Sequence, residues 1–254
     1  MRFSANLTML YPELPFLDRF AAAAADGFTG VEFVEAPGVD DEAVARALDD
    51  HGLALALVNT WSGDWAAGER GVAAHPDRIE EYRATLPAAV ARARRWGVPT
   101  VNVLAGKDPG DAGPDELFTT LVGNLRATVE AFAGTGTTVV LEAVNDRDVP
   151  GFVVPTMAAA ELVRAEVGGG LGLQFDVYHA QVLRGDLLNT YRRHAEHVRH
   201  VQIADHPGRH EPGTGEIRFE FLLPALVEAG YTGWIGAEYV PAAPEGAAWL
   251  KRFA

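Results

Sequence analysis

Four polar residues interrupt four otherwise apolar stretches of this chain. Glu142 stands in VVLEAV, Asp176 in LGLQFDV, Gln202 in HVQIAD and Glu238 in WIGAEYV. A carboxylate buried among apolar side chains is costly unless it is paired, hydrogen-bonded or bound to a cation. The intervals between the four are 34, 26 and 36 residues, each the length of one strand plus one helix. Three carboxylates and one carboxamide oxygen gathered at one point repel one another unless a cation sits among them. An all-oxygen set suits a hard divalent ion, Mg²⁺ or Mn²⁺. Taken singly, each acid reads as a salt-bridge partner at a rim, and Gln202 as a satisfied interior amide. Four at matching intervals favour a metal site instead.

The elements that must position them are legible as an alternation. Short apolar runs at 2–7, 30–34, 53–59, 100–105, 138–144, 171–177, 200–205 and 234–240 read as strands. Several are almost continuously apolar, as strands covered on both faces are. Amphipathic segments lie between them. Leu117, Leu121, Leu125, Val129 and Phe132 recur at helical spacing, as do Phe16, Leu17, Phe20, Ala21 and Ala24. Gly and Pro punctuate the joins, and a last helix is expected near 244–253.

Eight such units in 254 residues predict a (β/α)8 TIM barrel, one domain over 1–254. The rival doubly wound sheet lacks its GxGxxG after the first strand. In a barrel the carboxyl ends of the strands meet at one mouth, so Glu142, Asp176, Gln202 and Glu238 come together there. Gln174 and His200 lie two residues before Asp176 and Gln202 and share their faces one layer deeper, in structural hydrogen bonds. His179, just beyond the sixth strand, either caps a helix or contacts Asp176 or the substrate.

Composition removes other classes. A formal net charge of −14 opposes nucleic acid and anionic membrane alike. No apolar run approaches the roughly 20 residues of a membrane span, and MRFSANLTML does not read as a signal peptide. With no cysteine, thiolate ligands and nucleophiles are impossible, and a cytoplasmic location is expected. The partner expected is a small molecule. A homo-oligomer is left open.

RFSANLTML, GDWAAGERG (63–71), LAGK (104–107), LEAVN with VPGF, QFDVYHAQ, VQIAD with EPGTGEI and GWIGAEY follow one another along almost the whole chain. In order and spacing they resemble the hydroxypyruvate isomerase family, within the xylose-isomerase-like sugar isomerases and epimerases. That resemblance implies a TIM barrel with a divalent metal at its mouth. It implies Glu142, Asp176, Gln202 and Glu238 as metal ligands, with Glu142 and Glu238 also the catalytic acid/base pair. The reaction implied interconverts hydroxypyruvate and tartronate semialdehyde through a cis-enediol. A 2-oxo-tetronate isomerase, a ketose 3-epimerase and a non-catalytic sugar-acid-binding barrel are the alternatives. EFVEAPGVDDEA after the second strand departs from the family pattern.

A sugar-acid substrate carries a carboxylate, for which Lys107 and Arg209 are candidates; either is otherwise a solvated charge. The glycine-rich loop after the seventh strand keeps a phosphorylated substrate open. GDWAAGERG follows the third strand on the same mouth and is expected to form a lid or wall. Trp65 or Trp61 would cover the substrate, while Glu69 and Arg70 would mainly anchor the loop.

Overall fold

Eight parallel strands close into a barrel in chain order in the computed structural model, which describes every residue except Pro37, Pro244, Glu245 and Ala254. The strands are β1 Arg2–Asn6, β2 Gly30–Phe33, β3 Ala54–Asn59, β4 Thr100–Val103, β5 Thr138–Glu142, β6 Leu171–Asp176, β7 Val198–Ile203 and β8 Trp234–Ala237. The helices are α1 Asp18–Ala25, α2 Asp41–His51, α3 Ile79–Trp96, α4 Pro114–Ala131, α5 Met157–Val167, α6 Val177–Leu183, α7 Leu187–His194 and α8 Phe219–Glu228. Two helices follow β6, and β8 leads only to a 3-10 turn, Ala248–Arg252. The helix expected at 244–253 is therefore shorter and tighter than its pattern implied, and Pro244 and Glu245 within that range lie outside the described residues. Pro37, in the divergent stretch after β2, does too.

Local signals explain the helix ends. Pro114 opens α4 with Asp115 and Glu116 in its first turn, where a missing N–H costs nothing and negative charge meets the helix dipole. Thr156 caps α5 by accepting from the Ala159 N–H. The stripe expected on α4 is buried through Leu117, Leu121 and Leu125. The apolar core lies mainly between helices and sheet, with Phe20, Phe33, Tyr82, Phe175, Tyr191 and Phe219 fully buried.

The register explains how the four polar residues reach one level. Glu142 pairs with Gln174, two residues before Asp176. Asp176 pairs with Gln202, and Gln202 with Gly236, two residues before Glu238. Barrel strands are tilted, so residues at one height must climb in register around the wall. β8 stops at Ala237, which leaves Glu238 on the rim just past the strand, its N–H bonded to the Ile203 carbonyl.

Candidate active site

The ends of β5, β6 and β8 bring three carboxylates to the mouth. Asn102 on β4 donates to Glu142 Oε2 at 2.8 Å. Asn6 on β1 donates to Glu238 Oε2 at 3.1 Å, and Arg209 to Glu238 Oε1 at 2.6 Å. Asp176 caps α6, its Oδ1 accepting from the Tyr178 and His179 N–H groups. Its Oδ2 is left facing His179 Nε2 at 3.6 Å and Arg209 at 3.7 Å. One carboxylate oxygen each from Glu142 and Asp176 and one His179 ring nitrogen lie within 4.8 Å of one another. They could hold a metal ion.

Gln202 is level with these groups, but its amide is engaged below them, and a residue that the strand pattern passed over explains why. Glu32, in β2, is fully buried inside the barrel. Gln202 Nε2 donates to Glu32 Oε1 at 2.7 Å, while Gln174 donates to the Gln202 carbonyl oxygen at 2.5 Å. Ser4, Asn6 and His200 complete the shell around Glu32. Gly236 makes the room: a Cβ there would lie 2.3 Å from the Glu32 carboxylate. Gln174 and His200 thus take the structural roles expected of them, and Gln202 currently spends its oxygen on Gln174. The signal for Glu32 was available. GVEFV carries the same acidic interruption as the other strands, but nothing in its spacing names a buried histidine as its partner.

Burial and crowding hold protons on the two glutamates. Burial raises Glu142 well above its ordinary range, helped by the charges of Glu238 and Asp176. Burial likewise pushes Glu238 to about 8, with Asp176 and Glu32 adding to it and Arg209 opposing. His179 moves the other way, lowered by burial to about 4, so near neutral pH it is uncharged with one ring proton. Asn145 places that proton. Its Oδ1 accepts from the Arg147 and Asp148 N–H groups, so its Nδ2 is turned to His179 Nδ1 at 2.6 Å. Nδ1 therefore accepts, and Nε2–H is the donor aimed into the site.

These shifts dictate a pH dependence of stability. Between 4.5 and about 8 the folded Glu238 holds a proton that the unfolded chain has lost, so its contribution is complete at low pH and falls as pH rises. His179 acts oppositely, but only between about 4 and 6.5. Metal-free protein is therefore expected to lose about 1–2 kcal/mol between pH 6.5 and 8, and added Mg²⁺ or Mn²⁺ to restore it. Denaturant titrations across that range check this; stability that rises with pH contradicts it.

A cavity of about 400 Å³ opens above these groups, lined by Asn6, Trp65, Arg70, Glu142, Arg209 and Glu238 among others. Trp65, 36% exposed, stands on its wall. Trp61 faces a separate crevice between α2 and α3. Lys107 does not line the cavity; its ammonium donates to the Gly68 carbonyl and ties down the GDWAAGERG loop. Glu69 holds the same loop from inside. Its Oε2 accepts from the Asp64 N–H at 2.6 Å, and its Oε1 meets Arg78 at 2.5 Å. Gly63 must be glycine here: its φ is +83°, and a Cβ would lie 2.2 Å from Glu69 Oε2. Glu69→Ala is expected to raise KM by about fivefold to tenfold with a smaller effect on kcat, because the wall loosens while the carboxylates stay put. Steady-state kinetics decide it, and an unchanged KM removes the loop from substrate binding.

A closed parallel barrel with buried carboxyl groups gathered at its C-terminal mouth places the chain in the TIM-barrel class. The family model described as "Xylose isomerase-like TIM barrel" matches residues 20–253. The 2-oxo-tetronate isomerase of Cupriavidus necator is 44% identical over 99% of this chain and 98% of its own length. The hydroxypyruvate isomerase of Escherichia coli is 41% identical over 95% and 94%. The crystal structure of an AP endonuclease, family 2, from Brucella melitensis matches with a TM-score of 0.96 at 37% identity, covering 99% of this chain and 98% of that one. The chain belongs to the xylose isomerase-like TIM barrel family and is an enzyme of its isomerase branch. Among the described residues, no helix is long and apolar enough to cross a membrane.

Proposed function

We propose that the chain is a divalent-metal-dependent isomerase of short 2-oxo sugar acids that interconverts hydroxypyruvate and tartronate semialdehyde. A 2-oxo-tetronate, one carbon longer, is the second substrate in view. The names of relatives 44% and 41% identical support these two acids ahead of a ketose. The observation that carries the chemistry is a pair of glutamates, both with raised affinity for protons, on one small cavity.

The chain's own residues supply the proton work. One of Glu142 and Glu238 removes a proton from C3 of hydroxypyruvate, giving a cis-enediol. The other returns a proton to C2 while the hydroxyl proton passes from the C3 oxygen to the C2 oxygen, leaving an aldehyde at C3 and a hydroxyl at C2. Glu238, pushed to about 8, is a stronger base than an ordinary carboxylate and still ionises in part near that pH. In this reading His179 Nε2–H, which faces Glu142 and Asp176, donates to a substrate oxygen bound between the two glutamates. Arg209, half-buried beside Glu238 and Asp176, balances charge at the mouth.

Glu142, Asp176 and Glu238 would hold Mg²⁺ or Mn²⁺, with Gln202 joining once its oxygen leaves Gln174. The donor set fits a hard cation: three acidic side chains face one another with a single guanidinium between them. Such an ion polarises a carbonyl and stabilises negative charge on its oxygen. His179 fits less well as a ligand, since its lone pair is turned to Asn145.

A nuclease is the reading from a different class, given the match to an AP endonuclease. A charge of −14 disfavours it. So does the candidate metal group, which contains one histidine among the described residues. Proton NMR in D₂O with Mg²⁺ or Mn²⁺ tests the proposal, offering hydroxypyruvate, a 2-oxo-tetronate and neutral ketoses in parallel. Product with deuterium at the newly protonated carbon is the expected result for an acid. A ligand bound without exchange or product would make the chain a binding barrel instead.

A further inference from the structure

Two guanidinium groups line the cavity, and only one is matched by acids. Arg209 lies 2.6 Å from Glu238 and 3.7 Å from Asp176. Arg70 has no carboxylate within 4.0 Å among the described residues, and burial with no acid beside it lowers its pKa. Its side chain is nevertheless held in place. Nη1 donates to the Trp65 and Glu69 carbonyls at 3.2 and 2.6 Å. The guanidinium lies 3.9 Å from the centre of the Trp65 ring. Nε and Nη2 make no hydrogen bond among the described residues. These two atoms form the parallel edge with which arginine grips a carboxylate through two bonds. Stacking on Trp65 limits how the plane can turn, so little freedom remains to be lost on binding.

Charge makes this edge consequential. Asp148, held ionised by its hydrogen bonds, shares the cavity lining with Glu142 and Glu238, and an anionic substrate must enter past Asp148 and past whichever glutamate has given up its proton. A cation already neutralised by two acids offers little attraction; an unmatched one offers much more. We propose that Arg70 binds the carboxylate of the substrate and so selects 2-oxo acids over neutral ketoses of the same length. This rests on the sugar-acid reading above and names the residue that enforces it. The cavity expected to use Lys107 or Arg209 for that task uses the former to tie down the loop and the latter to balance the acids.

The test compares wild type, Arg70→Met and Arg70→Lys, each loaded with Mn²⁺. Calorimetric titration with glycerate reads carboxylate binding without turnover. Exchange of deuterium into dihydroxyacetone reads the neutral substrate of the same length. Arg70→Met is expected to weaken glycerate by about tenfold to a hundredfold, the loss of a charge-assisted pair. The KM for hydroxypyruvate rises by the same factor, and kcat changes by less than about threefold. Arg70→Lys, which keeps the charge and loses the fork, falls between the two. Dihydroxyacetone exchange, where wild type supports it, is unchanged.

The proposal is overturned if Arg70→Met binds glycerate within twofold of wild type, or if wild type does not bind it at all. It is also overturned if the neutral substrate loses as much as the acid, since that would mean a damaged loop. Failure to turn over either acid would remove the functional reading alone. The glycerate titration would still decide whether Arg70 is an anion site.

Discussion

Glu142→Gln and Glu238→Gln are each expected to lower kcat by about a thousandfold, within the range that positioned proton transfer contributes. Glutamine preserves shape and can still accept from Asn102 or Asn6, the partners seen at 2.8 and 3.1 Å. What it cannot do is hold or release a proton. The two variants should differ in exchange. The one lacking the initiating base loses deuterium exchange at C3, while the other keeps exchange and forms no product.

Their stabilities should differ too. Glu142 must take up a proton on folding, because burial and the charges of Glu238 and Asp176 raise it, so glutamine, which needs none, raises the melting temperature of metal-free protein. Glu238 is the close partner of half-buried Arg209, so its replacement leaves that cation dependent on Asp176 at 3.7 Å and lowers the melting temperature. Full turnover in both variants would end the acid/base assignment.

Removing the divalent ion that the proposed reaction uses is expected to be the second large effect. Dialysis against a chelator is expected to cut kcat/KM by at least about a hundredfold, the scale lost when charge developing on a reacting oxygen is no longer stabilised. Mg²⁺ or Mn²⁺ should restore it. The same titration has a reading independent of turnover. Acids that hold protons near neutrality must release them to bind a cation, so binding heats should depend on the ionisation heat of the buffer. An ion at about 100 times its dissociation constant should add about 2.7 kcal/mol to stability. Unchanged activity after complete chelation would leave the carboxylates as acid/base groups alone.

Much of the molecule was legible in the chain. Apolar runs and amphipathic stripes repeat at the interval of a strand–helix unit, and burial on both faces of a parallel sheet imposes that pattern directly. The position of Glu142, Asp176 and Glu238 at the mouth followed from the same interval. So did the depth of Gln174 and His200, since alternate residues of a strand share a face.

Contacts across the barrel were not legible. Glu32 and His200 are 168 residues apart in sequence, and Asn6 and Glu238 are 232 apart. No local period encodes such pairs; closure of the barrel creates them. The division of labour among the cations was hidden for the same reason. Lys107, Arg209 and Arg70 are all cations, and in sequence the first two read as carboxylate partners or solvated charges and the third as a loop anchor. Only the folded chain decides which positive group is spent on a carbonyl, which on two acids, and which keeps an open edge.

GDWAAGERG shows both halves of this. Its glycines announced a tight loop, because positive φ and close approach leave few other choices. What it contributes to the mouth was decided by tertiary structure, which turns Glu69 inward to Asp64 and Arg78 and leaves Arg70 stacked on Trp65 at the cavity wall. By itself the sequence determined the barrel and the ring of acids, since these rest on repeating patterns of burial. The tertiary structure decided which proton, amide face and charge each residue presents, because those depend on neighbours that meet only when the barrel closes.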